Sequence, residues 1–181
     1  MAQHSLFLDI DSTNLTAEDR EVLQHPLVGG VILFTRNYTN LEQLTELCHS
    51  IYHVNSSLFI AVDQEGGRIQ RFQKDFPQLP SPQYWGERFR ACPDSVVDEL
   101  QQSYHRMLFT LQRAGVTMSL IPVLDLDYKH STVLNQRCFD SEPAIVSYLG
   151  GLLCKTMRSN NMPTTAKHFP GHGYAVADSH L

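Results

Sequence analysis

The chain has 181 residues, 42% of them hydrophobic and 18% charged, with a formal net charge of −5. That composition fits an ordinary globular chain able to bury one core, so a single domain over residues 1–181 is expected. No basic cluster offers a footprint for nucleic acid or an anionic membrane, so neither is expected as a partner, and a small or neutral ligand is.

At the N-terminus no basic region precedes an apolar run, and Asp9 and Asp11 interrupt the one apolar stretch, so no export signal is expected. SLFLDI, 5–10, reads as a first strand and GGVILF, 29–34, as a second. Between them Thr16 can cap a helix whose first turn carries Glu18 and Asp19, acids suited to the partial positive charge there, and Pro26 helps to close it. NLEQLTELCHSIYHV sets Leu41, Leu44, Leu47, Cys48 and Ile51 on one helical face. LFIAVD, 58–63, is a third strand, and it ends on an acid.

QKDFPQLPSPQYWGERF, 73–89, carries Pro77, Pro80 and Pro82 and reads as an ordered loop. From Pro93 to Ala114 the apolar positions Val96, Val97, Leu100, Tyr104, Met107, Leu108 and Leu111 recur with helical period, and Gly115 can take the left-handed C-cap. TMSLIPVLDLD is a fourth strand, again ending in acids, and 123–142 is a long connection of the kind that tends to carry function. Ser141 is the expected N-cap of a last helix with Pro143 in its first turn and Ile145, Leu149, Leu152 and Leu153 facing inward. PTTAKHF, 163–169, is a fifth strand. Strand and helix alternating in this way mark right-handed βαβ crossovers around a parallel sheet.

Cys48, Cys92, Cys138 and Cys154 form no C-x-x-C pair and no run approaches the ~18 apolar residues of a membrane span, so reduced thiols in a cytoplasmic protein are expected.

In such α/β folds ligands bind beyond the carboxyl ends of the strands, which directs attention to DQEGGRIQRF, 63–72, and KHFPGHGYAVADSHL, 167–181. In the first, Asp63 can accept from ligand hydroxyls while Arg71 donates to the ligand or orients the acid. A Gly-Gly turn at Gly66 and Gly67 flanked by a surface ion pair with Arg68 or Arg71 fits equally well. The segment has neither spacing of a phosphate-binding glycine loop.

In the second, Asp178 and His180 stand two apart on a loop and can meet side chain to side chain. A carboxylate on one ring nitrogen fixes the tautomer and raises the basicity of the other, giving a general acid/base near neutral pH. A metal held by His168, His172, Asp178 and His180 is the rival reading, but Pro170, Gly171 and Gly173 oppose the helix that H-x-x-x-H needs, so no metal is expected. Ser179 lacks a G-x-S-x-G elbow and is not expected as a nucleophile.

KHFPGHGYAVADSH closely resembles the signature of family-3 glycoside hydrolases of the bacterial β-N-acetylhexosaminidase type. HPLVGGVILFTRNY, AVDQEGGRIQRF, the IPVLDLD region and NQRCF match that family in the same order, so the resemblance covers essentially the whole chain. It implies a TIM-type barrel that removes terminal N-acetylglucosamine from anhydromuropeptides by a retaining route, in cytoplasmic peptidoglycan recycling, as a monomer when full length and without a cofactor. Carried onto this chain, it makes Asp63, Arg71, Arg137, Lys167 and His168 sugar-binding residues, His180 the acid/base and Asp178 its polarising partner.

The family's aspartate nucleophile follows well after the D-S-H triplet, and no residue of this chain occupies that position. About five strand candidates stand where a TIM barrel has eight in about 250 residues. The resemblance therefore implies the N-terminal part of a barrel enzyme. The alternative is a non-catalytic fragment that at most binds N-acetylglucosamine or a partner chain.

Overall fold

The structure, a computed structural model, describes residues 5–178. Strand β1 (Leu6–Leu8) leads to helix α1 (Ala17–Val22), β2 (Val28–Leu33), a single 3-10 turn (Thr35–Asn37), α2 (Leu41–Val54) and β3 (Phe59–Val62). A short hairpin of β4 (Gln64–Gly66) and β5 (Ile69–Gln70) follows, then α3 (Pro82–Ala91), α4 (Pro93–Ala114), β6 (Met118–Ser119) and α5 (Pro143–Ser159). β1, β2, β3 and β6 pair in parallel in that order, and among the described residues the sheet stays open.

Local chemistry sets most of these elements. Thr16 Oγ1 accepts from Asp19 N at 3.0 Å while Asp19 Oδ2 accepts from Thr16 N at 2.8 Å, a reciprocal capping box that starts α1. Asn40 caps α2 by accepting from Gln43 N at 2.9 Å. α4 ends where Gly115 takes φ 95°, the left-handed conformation that its lack of a Cβ permits.

Three expectations are corrected. The segment 73–89 is not all loop: Ser81 accepts from Tyr84 N at 3.3 Å and Pro82 opens α3. Proline is tolerated there because the first helical N–H has no partner within the helix anyway. The N-cap of α5 is Glu142 rather than Ser141, and it makes no side-chain cap. Asp140 Oδ1 instead accepts from Glu142 N at 2.8 Å, one step before the helix.

The third correction concerns the last two strands. Only Met118 and Ser119 of the fourth join the sheet ladder, since Pro122 has no N–H to give. The fifth, 163–169, is reduced to a parallel bridge between Val123 and Lys167. It still runs beside the fourth, with Thr165 N donating to Ile121 O at 2.9 Å and Lys167 N to Pro122 O at 3.1 Å.

Side chains alternate across a strand, and the two faces of this sheet differ accordingly. Val31, Leu33, Ile60 and Val62, paired across β2 and β3, are fully buried in the core shared with α2, α4 and α5. The helices meet that core through Leu44, Leu47, Cys48 and Ile51 of α2, the α4 stripe from Val96 to Leu111, and Val146, Leu149 and Leu153 of α5. The opposite face carries Ile32, Phe34 and Asp63 toward the carboxyl ends of the strands, where a cavity opens. Among the described residues no helix is long and apolar enough to cross a membrane.

Candidate active site

Asp63 is the first residue past β3, and Glu65 stands two further along an extended backbone, which sends both carboxylates to one side. Lys167 Nζ lies between them, 2.7 Å from Asp63 Oδ1 and 2.6 Å from Glu65 Oε1. The Glu65 side chain is 1% exposed, and Arg137 grips it as a fork, Nε to Oε2 and Nη2 to Oε1, both at 2.8 Å. Tyr104 of α4 donates to Glu65 O at 2.8 Å and so ties the core to the backbone of the site.

Gln64 points the other way. Its amide accepts from Phe72 N at 3.1 Å and donates to Phe72 O at 2.7 Å, which closes the hairpin behind the carboxylates. Gly66 and Gly67 form the expected sharp turn with φ of 106° and 57°, and a Cβ on Gly66 would lie 2.3 Å from Pro80 O. Arg71 Nη2 sits 3.4 Å from Asp63 Oδ2, so it orients the acid, and its guanidinium lies over the Phe34 ring at 5.6 Å. Arg68 donates instead to the backbone carbonyl of Val133 and holds the 132–135 loop at the cavity rim.

His168 bridges two loops. Arg137 Nη2 approaches its Nε2 at 3.3 Å, and Asp125 Oδ2 lies 2.6 Å from its Nδ1. A guanidinium can only donate, so Nε2 accepts and Nδ1 carries the proton given to Asp125. Asp125 Oδ2 also accepts from His168 N at 3.2 Å, and its Oδ1 accepts from His172 N at 2.6 Å.

Burial pushes the Asp63 carboxyl up, but the charges and hydrogen bonds of Lys167 and then Arg71 together outweigh it and hold the group below the usual carboxylate range. Asp125 follows the same pattern: burial raises it, and the His168 ring with the backbone N–H groups of His172 and His168 brings it below the usual range.

The five residues assigned to sugar binding thus come together. Asp63, Arg71, Arg137, Lys167 and His168 line one cavity of about 860 Å³ at the strand ends, and Asp178 shares its wall. His180 lies outside the described residues, and the expected Asp178–His180 contact does too. Among the described residues no three His, Cys, Asp or Glu side chains gather as metal ligands would. All four cysteines are unpaired.

The sequence reading gives Glu65 and Asp125 no place in the site. The signal for Glu65 is its spacing of two from Asp63, and for Asp125 its place just past Val123, the residue bridged to Lys167.

The profile of the Glycosyl hydrolase family 3 N terminal domain matches residues 4–181. Among curated proteins, the β-hexosaminidase of Hydrogenovibrio crunogenus is 46% identical over 177 residues, covering 97% of this chain and 50% of its own length. That of Pseudomonas aeruginosa PAO1 is 44% identical over 181 residues, covering 99% of this chain and 52% of its own length. NagZ from Neisseria gonorrhoeae in complex with N-trifluoroacetyl-D-glucosamine has a TM-score of 0.93 at 36% identity, over 100% of this chain and 54% of that one. The chain spans about half the length of the curated relatives it matches. With the family's N-terminal domain matched from residue 4 to residue 181 and its fold shared with NagZ, the chain belongs to glycosyl hydrolase family 3.

Proposed function

We propose that this chain supplies the sugar-binding wall and the proton-transfer apparatus of a retaining β-N-acetylhexosaminidase, which removes terminal N-acetylglucosamine from peptidoglycan-derived anhydromuropeptides in the cytoplasm. Residues 1–181 are then the first five βα units of a single (β/α)8 barrel domain, the fifth being the bridged segment before Lys167 and His168. The aspartate nucleophile comes from outside these residues, and the full-length enzyme is a monomer that uses no cofactor.

The observation that carries this reading is the cavity that gathers Asp63, Arg71, Arg137, Lys167 and His168 at the strand ends, with Asp178 on its wall. Its volume of about 860 Å³ lies within the range of small-ligand sites. Asp63 accepts from sugar hydroxyls while Lys167 and Arg137 donate to them. His180 protonates the leaving oxygen and later takes a proton from water, and Asp178 fixes its tautomer. Most glycosidases use a second carboxylate for this task. A neutral imidazole approaches an anionic leaving group or intermediate without the repulsion a carboxylate would bring.

Calorimetric titration with N-acetylglucosamine tests the reading. Saturable binding by the wild-type chain that disappears in Lys167→Ala, with unchanged circular dichroism, is expected; a folded wild-type chain that binds no sugar would overturn it. The chain alone is expected not to turn over a chromogenic N-acetylglucosaminide. Turnover abolished by His180→Ala would refute the placement of the nucleophile outside residues 1–181.

A further inference from the structure

The Asp125 side chain is 1% exposed and both its oxygens are used. Oδ2 accepts from the ring and the backbone of His168, and Oδ1 accepts from the backbone of His172. One buried group therefore grips both ends of the turn His168–His172. Beyond that turn the chain runs on to Asp178.

We propose that Asp125 is a positioning residue that locks His168 in the Nδ1–H tautomer, so that Nε2 is held as the acceptor of Arg137 at the cavity wall. The sugar-facing consequence rests on the function proposed above. A neutral ring has one acceptor lone pair, and at Nε2 it takes the hydrogen from Arg137 Nη2 at 3.3 Å. His168, locked in this way, steadies the Arg137 guanidinium that Glu65 grips as a fork, so that its remaining N–H groups donate to a ligand hydroxyl. With the proton on Nε2 instead, ring and guanidinium would meet donor to donor.

Asparagine has nearly the shape of aspartate but one acceptor oxygen in place of two, and it adds an N–H₂ donor. In Asp125→Asn the oxygen can serve His172 N or His168, and the N–H₂ faces the other. When it faces His168 Nδ1, that nitrogen is bare, and the proton moves to Nε2, against Arg137. The substitution therefore acts on the tautomer and not only on stability.

Long-range proton–nitrogen correlation spectra of the histidine-labelled chain without sugar read this directly. In the wild type, His168 is expected to show a protonated Nδ1 and a bare Nε2; in Asp125→Asn, the Nε2–H form gains population. A wild-type spectrum with Nε2–H, or with both nitrogens protonated, overturns the proposal even if the variant does not fold. An Asp125→Asn chain that folds and keeps the wild-type tautomer also overturns it.

Calorimetric titration with N-acetylglucosamine is the second arm, and a tenfold or greater loss of affinity is expected in Asp125→Asn. Unchanged affinity in a folded variant overturns the sugar-facing part of the proposal. A wild-type chain that binds no sugar overturns the proposed function, while the sugar-free spectra still decide the role of Asp125.

Discussion

Replacing Glu65 by alanine removes a carboxylate that is 1% exposed and holds two cations, Arg137 in a two-bond fork and Lys167 at 2.6 Å. The two cations are not left equally bare. Lys167 keeps Asp63 at 2.7 Å, whereas among the described residues the Arg137 side chain keeps the ring nitrogen of His168 at 3.3 Å. Breaking one buried pair costs about 3–5 kcal/mol, and with Lys167 still paired the middle of that range, about 4 kcal/mol, is expected. Because Arg137 and Lys167 are themselves only 11% and 13% exposed, solvent does little to soften the loss. Urea unfolding reads it: at a slope near 2 kcal/mol/M, the midpoint falls by about 2 M.

The reasoning makes a sharper demand of the double variant. If the loss comes from a stranded guanidinium, Glu65→Ala combined with Arg137→Met is less damaging than the sum of the two single changes, by at least about 1 kcal/mol. A Glu65→Ala cost under about 1 kcal/mol, or strict additivity of the pair, would refute the argument.

Asp63 and Asp125 have folded pKa values below the usual carboxylate range, so the stability they contribute is complete above their ordinary value and is lost as pH falls through the folded values. Urea midpoints are therefore expected to hold from neutral pH to about 5 and to fall below about 4, with a shallower fall in Asp125→Asn; a decline already under way at about pH 6.5 would point to a histidine instead. Burial pushes the Cys48 and Cys138 thiols up to about 12, while Cys92 is exposed. Iodoacetamide at neutral pH is expected to modify Cys92 first, with Cys48 and Cys138 reacting only as the chain unfolds, and mass spectrometry of timed samples gives the order. Gly86→Ala on α3 would set a Cβ 1.7 Å from Phe139 O, forcing helix and loop apart. A loss near the top of the about 1–3 kcal/mol range of overpacking is expected in thermal unfolding, and an unchanged melting temperature would contradict the packing described.

What could be read from the sequence was whatever a short stretch decides for itself. The α2 and α4 faces, the Thr16 cap and the Gly115 terminus depend on residues within a turn or two of each other, and all stand where the spacing puts them except Val97, which falls outside the buried stripe of α4. The prolines around α3 are local signals for a loop, although Ser81 followed by Pro82 is itself a helix start. The last two strands are shorter than their apolar runs because membership of a ladder depends on the neighbour's register, and Pro122 has no N–H to offer it.

The site divides in the same way. That strand ends would carry the ligand groups follows from the architecture, but which groups pair does not. Lys167 reaches Asp63 across 104 positions and Arg137 reaches Glu65 across 72, distances over which no local pattern operates. Arg68 and Arg71 look equivalent beside the Gly-Gly turn. The fold sends one to a loop carbonyl and the other to Asp63.

The pairings themselves form one chain: Arg71 to Asp63, Asp63 to Lys167, Lys167 to Glu65, Glu65 to Arg137, Arg137 to His168, and His168 to Asp125. Along it cation and carboxylate alternate until the neutral imidazole, which separates Arg137 from the last acid. Each ionised group before that ring faces the opposite charge, so desolvation on forming the cavity wall is offset link by link. Three cations balance three carboxylates, which leaves the wall rich in donors and acceptors but without net charge. Such a wall suits a neutral polyhydroxyl ligand, whose hydroxyls can enter the network as further links without requiring any charged group to lose its partner. It also makes the links interdependent: a change at Glu65 or Asp125 reaches the cavity through Arg137 or His168, although neither acid is a lining residue.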